Sequence, residues 1–434
     1  MVAFRMTAER LSRRAFLAGC LASLAAAQAG LRAGQRDRAP GRDRDERLER
    51  FRLRQAGAHL RARFRDLPGH VVFEYYPWYG VDPWRHWDDG GRTPPARIAS
   101  NYLPALGAYD SRSARVIEQH ARWIVESGAR AINLSWWGQG SFEDRAVPLV
   151  MDVMRDHDIR VTFHLEPYAA DRATRLAGDI TYLLRQYGER RRWDTFLLLE
   201  RADGSAAPVM KLFGSILPPT FTDCLGVRRA VPDHVPDAVW REQTTRLRRE
   251  IGSEFEQFTL LADSLDVART RAGGFDGGTS GDPYFHPDRW PEVASWFNAE
   301  DLLIVFAVNA GFDAPGPVAA PGDPCYAPPR ADPLPDVDWS AEEWRALVQQ
   351  ASALRIADSF ERTLSLQIDR RSTNERRGFF LVYVNSFNEW HEGTQFEPMK
   401  PYAQLAPAER ATYHNGPGGQ YRLETLGELM AEIR

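Results

Sequence analysis

Lysine is nearly missing from this 434-residue chain: of 55 basic residues only Lys211 and Lys400 are lysine, the rest arginine. We read the bias as coding composition and give it no functional weight by itself. A charge of one sign is missing too. The 59 acidic residues leave a formal charge of −4. With no basic excess, nucleic acid is not expected as a partner. Cysteine is scarce, at three residues, Cys20, Cys224 and Cys325. None stands in a CxxC spacing, so no zinc site is expected. Long apolar runs are confined to the N-terminus, and that one is too short for a membrane span of about 20 residues. Disordered, collagenous and fibrous chains are excluded by 43% hydrophobic and 26% charged residues. What the chain does have is tryptophan, 13 in all. These serve either as core or as stacking surfaces for a flat ligand such as a sugar.

The N-terminus reads Ser12-Arg13-Arg14-Ala15-Phe16-Leu17, then small apolar residues to Ala27-Gln28-Ala29. Paired arginines, a modest apolar segment and a small-x-small cleavage site describe a twin-arginine export signal over 1–29. The protein is thus expected in the periplasm or outside the cell. A buried N-terminal helix is the plainer alternative. Lipid anchoring at Cys20 is the weaker one, because the apolar run before it is only a few residues. After export Cys224 and Cys325 could form one disulfide. Residues 30–66, dense in Arg, Asp and Glu, read as a charged linker or solvated helix. Residues 67–434 are left as one catalytic domain.

From Val71 onward, short apolar runs alternate with helical patterns. The runs begin at Val71, Ala131 and Arg160, and continue at Pro208–Phe213, Thr259–Ala262, Gly274–Asp276, Leu302–Val308 and Phe379–Val384. Helices are expected over Ser113–Ser127 and Asp144–His157. About eight β/α units predict a (β/α)8 TIM barrel, and Gly273–Pro287 and Asp313–Pro335 are expected as long loops at its functional face. In such barrels the active site lies at the C-terminal ends of the strands. Functional-looking side chains end run after run: Tyr75, Tyr76 and Trp78; Trp136 and Trp137; His164, Glu166 and Tyr168; Asn309; and Asn388, Glu389, His391 and Glu392.

Glu389 and Glu392 are three apart, so a turn could aim both at one pocket. Paired carboxylates across a glycosidic bond supply an acid and a base or nucleophile. The plain alternative is that one of them is an ion-pair or capping residue. His164 and Glu166 share a strand face, where Glu166 could orient a sugar hydroxyl or tune the pair. Tyr76, Trp78 and His86 are substrate-contact candidates. Trp136 and Trp137 point to opposite faces, so at most one lines the site. His391-Glu392-Gly393-Thr394-Gln395 is H-E-x-x-Q and lacks the second histidine of a metalloprotease. No G-x-S-x-G elbow marks an esterase.

In its motifs the sequence resembles glycoside hydrolase family 99, the endo-α-1,2-mannosidase and endo-mannanase family. The matching segments are Tyr75–Gly80 with His86-Trp87, Tyr102–Ser111, His120 to Trp123 leading to Ser135–Gly138, Phe163–Tyr168 and Asn388–Gln395, in family order. The resemblance implies a (β/α)8 barrel that hydrolyses internal α-mannosidic bonds with retention and without cofactor or metal, on an oligosaccharide or polysaccharide. It implies Glu389 as base on the sugar's own 2-hydroxyl, and Glu392 as the acid that then activates water. Tyr76, Trp78, His86, Trp137, His164, Glu166, Tyr168, Asn388 and Trp390 are the expected substrate-binding residues. The chain departs from the family pattern at Lys211–Ser215 and Asn309–Asp313, two stretches that contribute to substrate recognition. A non-catalytic carbohydrate-binding or polysaccharide-assembly protein on the same barrel is the alternative; the intact Glu389/Glu392 pair counts against it.

Overall fold

The computed structural model describes residues 42–434 apart from 190–191, 256, 281–284, 316–324 and 326–329. The expected export signal and Cys20 lie outside the described residues. Two units divide the chain, residues 1–52 and 53–434. The first is represented by the start of helix α1 (Arg42–Arg61). In the second, packing reaches back into the charged segment, where Leu53, Leu60 and Phe64 are buried in the main core.

Eight strands form the second unit's centre: β1 (Val71–Tyr75), β2 (Ala131–Trp136), β3 (Arg160–Leu165), β4 (Ala206–Leu212), β5 (Thr259–Asp263), β6 (Gly277–Ser280), β7 (Leu303–Asn309) and β8 (Val382–Asn385). Each pairs in parallel with the next, and β8 closes on β1 with Val71 opposite Val382. Helices follow the strands in turn: α2 (Ala114–Glu126), α3 (Phe142–Asp156), α4 (Arg172–Leu183), α5 (Asp237–Ile251), α6 (Val267–Ala272), α7 (Trp290–Ala299), α8 (Glu342–Gln367) and α9 (Tyr421–Ile433). This is the (β/α)8 barrel, closed, with helices between its strands.

The alternation of side chains along the strands explains both cores. Phe73 and Tyr75 of β1 point outward and pack under the helices, in the core that also holds Ile117 and Ile124 of α2. Those two, with His120 and Ala121, lie three or four apart and form one buried stripe. Val72 points inward and joins Ala131, Val209, Leu261, Val305 and Leu381 in an apolar plug that fills the barrel. One level higher the inward positions turn polar: Glu74, Asn133, Ser135, His164 and Lys211. The plug therefore forces function to the upper end.

Strand β6 starts directly after the expected Gly274–Asp276 run, inside a segment expected as loop. Its two glycines explain why the pattern is faint. A Cβ on Gly277 would lie 2.2 Å from the Leu303 carbonyl oxygen, and one on Gly278 2.6 Å from the Phe297 ring. Close packing, rather than β propensity, selects these residues.

Cys224 and Cys325 are joined in a disulfide across 101 residues of chain. Cys224 lies in the turn between two short strands, Thr220–Thr222 and Arg228–Ala230, after β4. Cys325 follows β7, so the bond ties two loops at the C-terminal face of the barrel. Closing so long a loop removes unfolded-state entropy, and reduction is expected to cost about 2–4 kcal/mol. Denaturant titration with and without dithiothreitol checks this; coincident curves would contradict it.

Candidate active site

The pocket above the plug is built from strand ends and held by two hydrogen-bond systems. The first is its floor. Lys211 Nζ on β4 donates to Glu74 Oε1 on β1 at 2.7 Å, and Asn133 Nδ2 on β2 donates to Glu74 Oε2 at 3.0 Å. His164 Nδ1 on β3 stands 3.1 Å from Glu74 and 3.5 Å from Glu166. Ser135 donates its hydroxyl to Glu166 at 2.9 Å and accepts the Trp137 indole N–H at 3.0 Å. A continuous polar line thus runs from Trp137 at the mouth to Lys211 inside the barrel. Burial alone would raise the Glu74 carboxyl, but Lys211 and then His164 outweigh it and hold it at about 2. For Glu166 burial wins over His164, and its carboxyl is raised.

The second system holds the turn after β8. Glu397 accepts hydrogen bonds from the Tyr109 hydroxyl at 2.7 Å and the Trp390 indole at 2.8 Å, and meets His120 Nε2 at 3.2 Å. His120 Nδ1 lies 3.1 Å from the Tyr75 hydroxyl. His120 and Glu397 are fully buried. Asn388 accepts from the Tyr76 backbone N–H at 2.8 Å and donates to its carbonyl at 3.0 Å, stitching the turn to the end of β1. The Glu389 N–H is fixed by Ser386 Oγ at 2.8 Å, and the Glu392 carbonyl by the Asp313 N–H at 2.8 Å.

So anchored, the turn carries Glu389 and Glu392 to the pocket. The Tyr76 hydroxyl hydrogen-bonds Glu389 and feels the charges of Glu389, Glu74, Glu166 and Glu392 together. All four carboxylates thus lie within electrostatic reach of one side chain. Burial, then Glu392 and Glu166, push the Glu389 carboxyl well above the usual range. A carboxyl whose pKa is higher folded than unfolded favours the native state at low pH, and that contribution is lost as pH rises. The Glu389→Gln protein is therefore expected to gain thermal stability relative to wild type from the ordinary glutamate range toward neutrality. A constant difference in melting temperature over that range would contradict the assignment.

An aromatic wall flanks the acids. The Trp78 ring lies 4.6 Å from Tyr76, stacks on His86 at 4.7 Å and stands 6.2 Å from Trp137. His86 adopts φ +62°, a strained left-handed backbone that aims its ring at that wall. Among the described residues His164 Nε2 is buried without a hydrogen-bond partner, while the Trp78 indole hydrogen-bonds the Tyr79 hydroxyl. His86, Asp89 and His391 place ligand atoms within 4.8 Å of one another, near enough for a metal. Yet His391 Nε2 lies 2.6 Å from the His86 carbonyl oxygen, so it carries the proton of a hydrogen bond. Burial lowers that imidazole to about 4 and keeps it neutral. The trio reads as part of the wall.

The profile of Glycosyl hydrolase family 99 matches residues 67–196. A Glycoprotein endo-alpha-1,2-mannosidase-like protein of Danio rerio is 27% identical over 382 residues, 78% of this chain and 74% of that one. The Glycoprotein endo-alpha-1,2-mannosidase of Xenopus laevis is 24% identical over 75% of this chain and 69% of its own. These matches support a member of glycosyl hydrolase family 99. It is a glycoside hydrolase, and its substrate is a glycan. The fold agrees: the GH99 endo-alpha-mannosidase of Bacteroides thetaiotaomicron superposes with a TM-score of 0.55 at 19% identity, over 84% of this chain and 97% of that one.

The expected site residues fall into two groups. Tyr76, Trp78, His86, Trp137, His164, Glu166, Glu389 and Glu392 gather at the pocket. Three others do not face it. Tyr168 gives its hydroxyl to Asp179 and packs against Trp136 on the outer side. Asn388 spends its amide on Tyr76 and Tyr109. Trp390 is fully buried, its indole committed to Glu397. These three were expected as substrate contacts, but their polar atoms are occupied by protein, so Asn388 and Trp390 hold the turn instead. Trp136 likewise turns outward, to Asp144. Glu74, Ser135, Tyr109, His120 and Glu397 were not singled out as pocket-building groups. Glu74 had a signal: it is a lone acid in Val71–Tyr75, a strand otherwise apolar or aromatic. Phe213, after β4, is another: it is 45% exposed, 5.7 Å from the His164 ring, with its carbonyl clasped by Arg172.

Proposed function

We propose that this glycoside hydrolase cleaves internal α-mannosidic bonds of an oligosaccharide or polysaccharide with retention, using Glu389 and Glu392. The observation that carries the reading is the buried Glu389 carboxyl, hydrogen-bonded by the Tyr76 hydroxyl and within electrostatic reach of Glu392 and Glu166. The mannoside is supported by the named activity of the relatives. In the reaction, Glu389 takes the proton of the sugar 2-hydroxyl, and that oxygen attacks C1. The C1–O bond to the leaving sugar breaks as Glu392 protonates its oxygen. Glu392 then deprotonates water, which opens the 1,2-anhydro sugar at C1, while Glu389 returns its proton to O2. A base works best with a pKa near the working pH, and burial with the neighbouring Glu392 and Glu166 raises the Glu389 carboxyl in that direction. Trp78, Trp137 and His86 would stack on the sugars that flank the cleaved bond.

The protein acts outside the cytoplasm in this reading. The Arg13-Arg14 motif and the Cys224–Cys325 disulfide support it, since disulfides persist in oxidising compartments. The test incubates the purified protein with a panel of α-linked mannans and bacterial polysaccharides and identifies the products. Release of α-mannosyl oligosaccharides supports the reading. Hydrolysis confined to glycans without α-mannose would replace the substrate.

A further inference from the structure

Lys211 is one of two lysines in a chain that otherwise uses arginine, and its surroundings show what an ammonium does there that a guanidinium would not. It is 4% exposed, on the inner face of β4 beside His164 of β3. Its Nζ donates to Glu74 at 2.7 Å and sits 5.1 Å from the centroid of the Tyr383 ring of β8. A planar five-donor guanidinium needs more room and more acceptors than this point offers; a compact ammonium matches one carboxylate and one ring face. The position lies within the stretch where the chain leaves its family's pattern.

The charges around it do not balance without it. Glu74 of β1, Glu166 at the end of β3, and Glu389 and Glu392 after β8 face a common space. Against them from the strands stand Lys211 and, at 3.1 Å from Glu74, His164. Arg172 of α4 also acts on Glu166, but its guanidinium is bound to the carbonyls of Phe213 and Gly214. Tyr76, Tyr79 and Tyr383 are the tyrosines that face these acids.

We propose that Lys211 is a positioning residue of this active site: by neutralising and fixing Glu74 it gives Glu389 and Glu166 a balanced wall to face, and so sets how readily Glu389 serves as base. Lys211 touches no substrate in this account. It acts through Glu74 and across the pocket on Glu166 and Glu389. The proposal rests on Glu389 as the base.

A charge cycle on the pair tests it, read as the acid limb of the pH profile of kcat/KM on the best glycan of the panel above. Lys211→Met leaves the Glu74 charge unopposed, so Glu389 holds its proton more tightly and the limb moves up by about one pH unit, for a unit charge several ångströms away in a partly buried site. Glu74→Gln leaves the ammonium unopposed, and the limb moves down by a similar amount. The double variant carries neither charge and returns the limb to near the wild-type pH. It also keeps the proposal testable if a single variant fails to fold, because removing both partners of a buried pair is tolerated better than removing one. A merely structural role lowers activity or melting temperature with the limb in place. A fixed limb in the folded single variants, shifts of the same sign in both, or a displaced limb in the double variant would each overturn the proposal. These outcomes leave Glu389 as base untouched. A wild-type profile with no acid limb removes Glu389 as base, and this proposal with it.

Discussion

Glu392→Gln is expected to lower turnover by about 10²–10⁴-fold, the range general acid–base catalysis contributes, while the protein still folds. The amide keeps the side chain's size, and the backbone on both sides is held independently of the carboxylate. The Glu392 carbonyl accepts from Asp313, and the turn is stitched by Asn388 and Ser386. What is lost is the proton for the leaving oxygen. The circular dichroism spectrum and denaturation midpoint should therefore stay near those of wild type as turnover falls. Turnover within threefold of wild type would remove Glu392 as the acid.

Glu397→Leu carries the largest expected effect on stability, a loss of about 3–5 kcal/mol, as when one partner of a buried charge pair is removed. The substitution takes an acceptor from three groups in the core: His120 Nε2, the Trp390 indole and the Tyr109 hydroxyl. The first two then bear their desolvation cost without that acceptor, and the Tyr109 hydroxyl keeps only the Asn388 amide. Glu397→Gln keeps one acceptor and should fall between. Where the leucine variant still folds, its turnover should drop, because Trp390 adjoins Glu389 and no longer holds the turn. Urea titration reads the stability directly, and a loss under about 1 kcal/mol would show that the buried cluster does not anchor the turn.

The barrel was legible from the sequence because its strands are buried on both faces. Seven of the eight appear as short apolar runs at or within a few residues of their observed places; β6 is obscured by glycines chosen for close packing with Leu303 and Phe297. The pocket was legible where polar residues end a run, as at His164-Leu165-Glu166 and Asn388 to Glu392. Motif proximity misled at Asn388, Trp390 and Tyr168, since adjacency along the chain does not say which way a side chain turns. The supporting contacts were not legible. Glu397 meets His120 across 277 residues, and Lys211 meets Glu74 across 137, pairings that only barrel closure creates.

The central claim is that Glu389 and Glu392 cleave an internal α-mannosidic bond with retention. Proton NMR of an α-mannan digest, recorded within the first minutes, tests it most directly. The account predicts that the first-formed reducing end is the α anomer, carried on an oligosaccharide. A β anomer formed first, or free mannose as the sole early product, would contradict it.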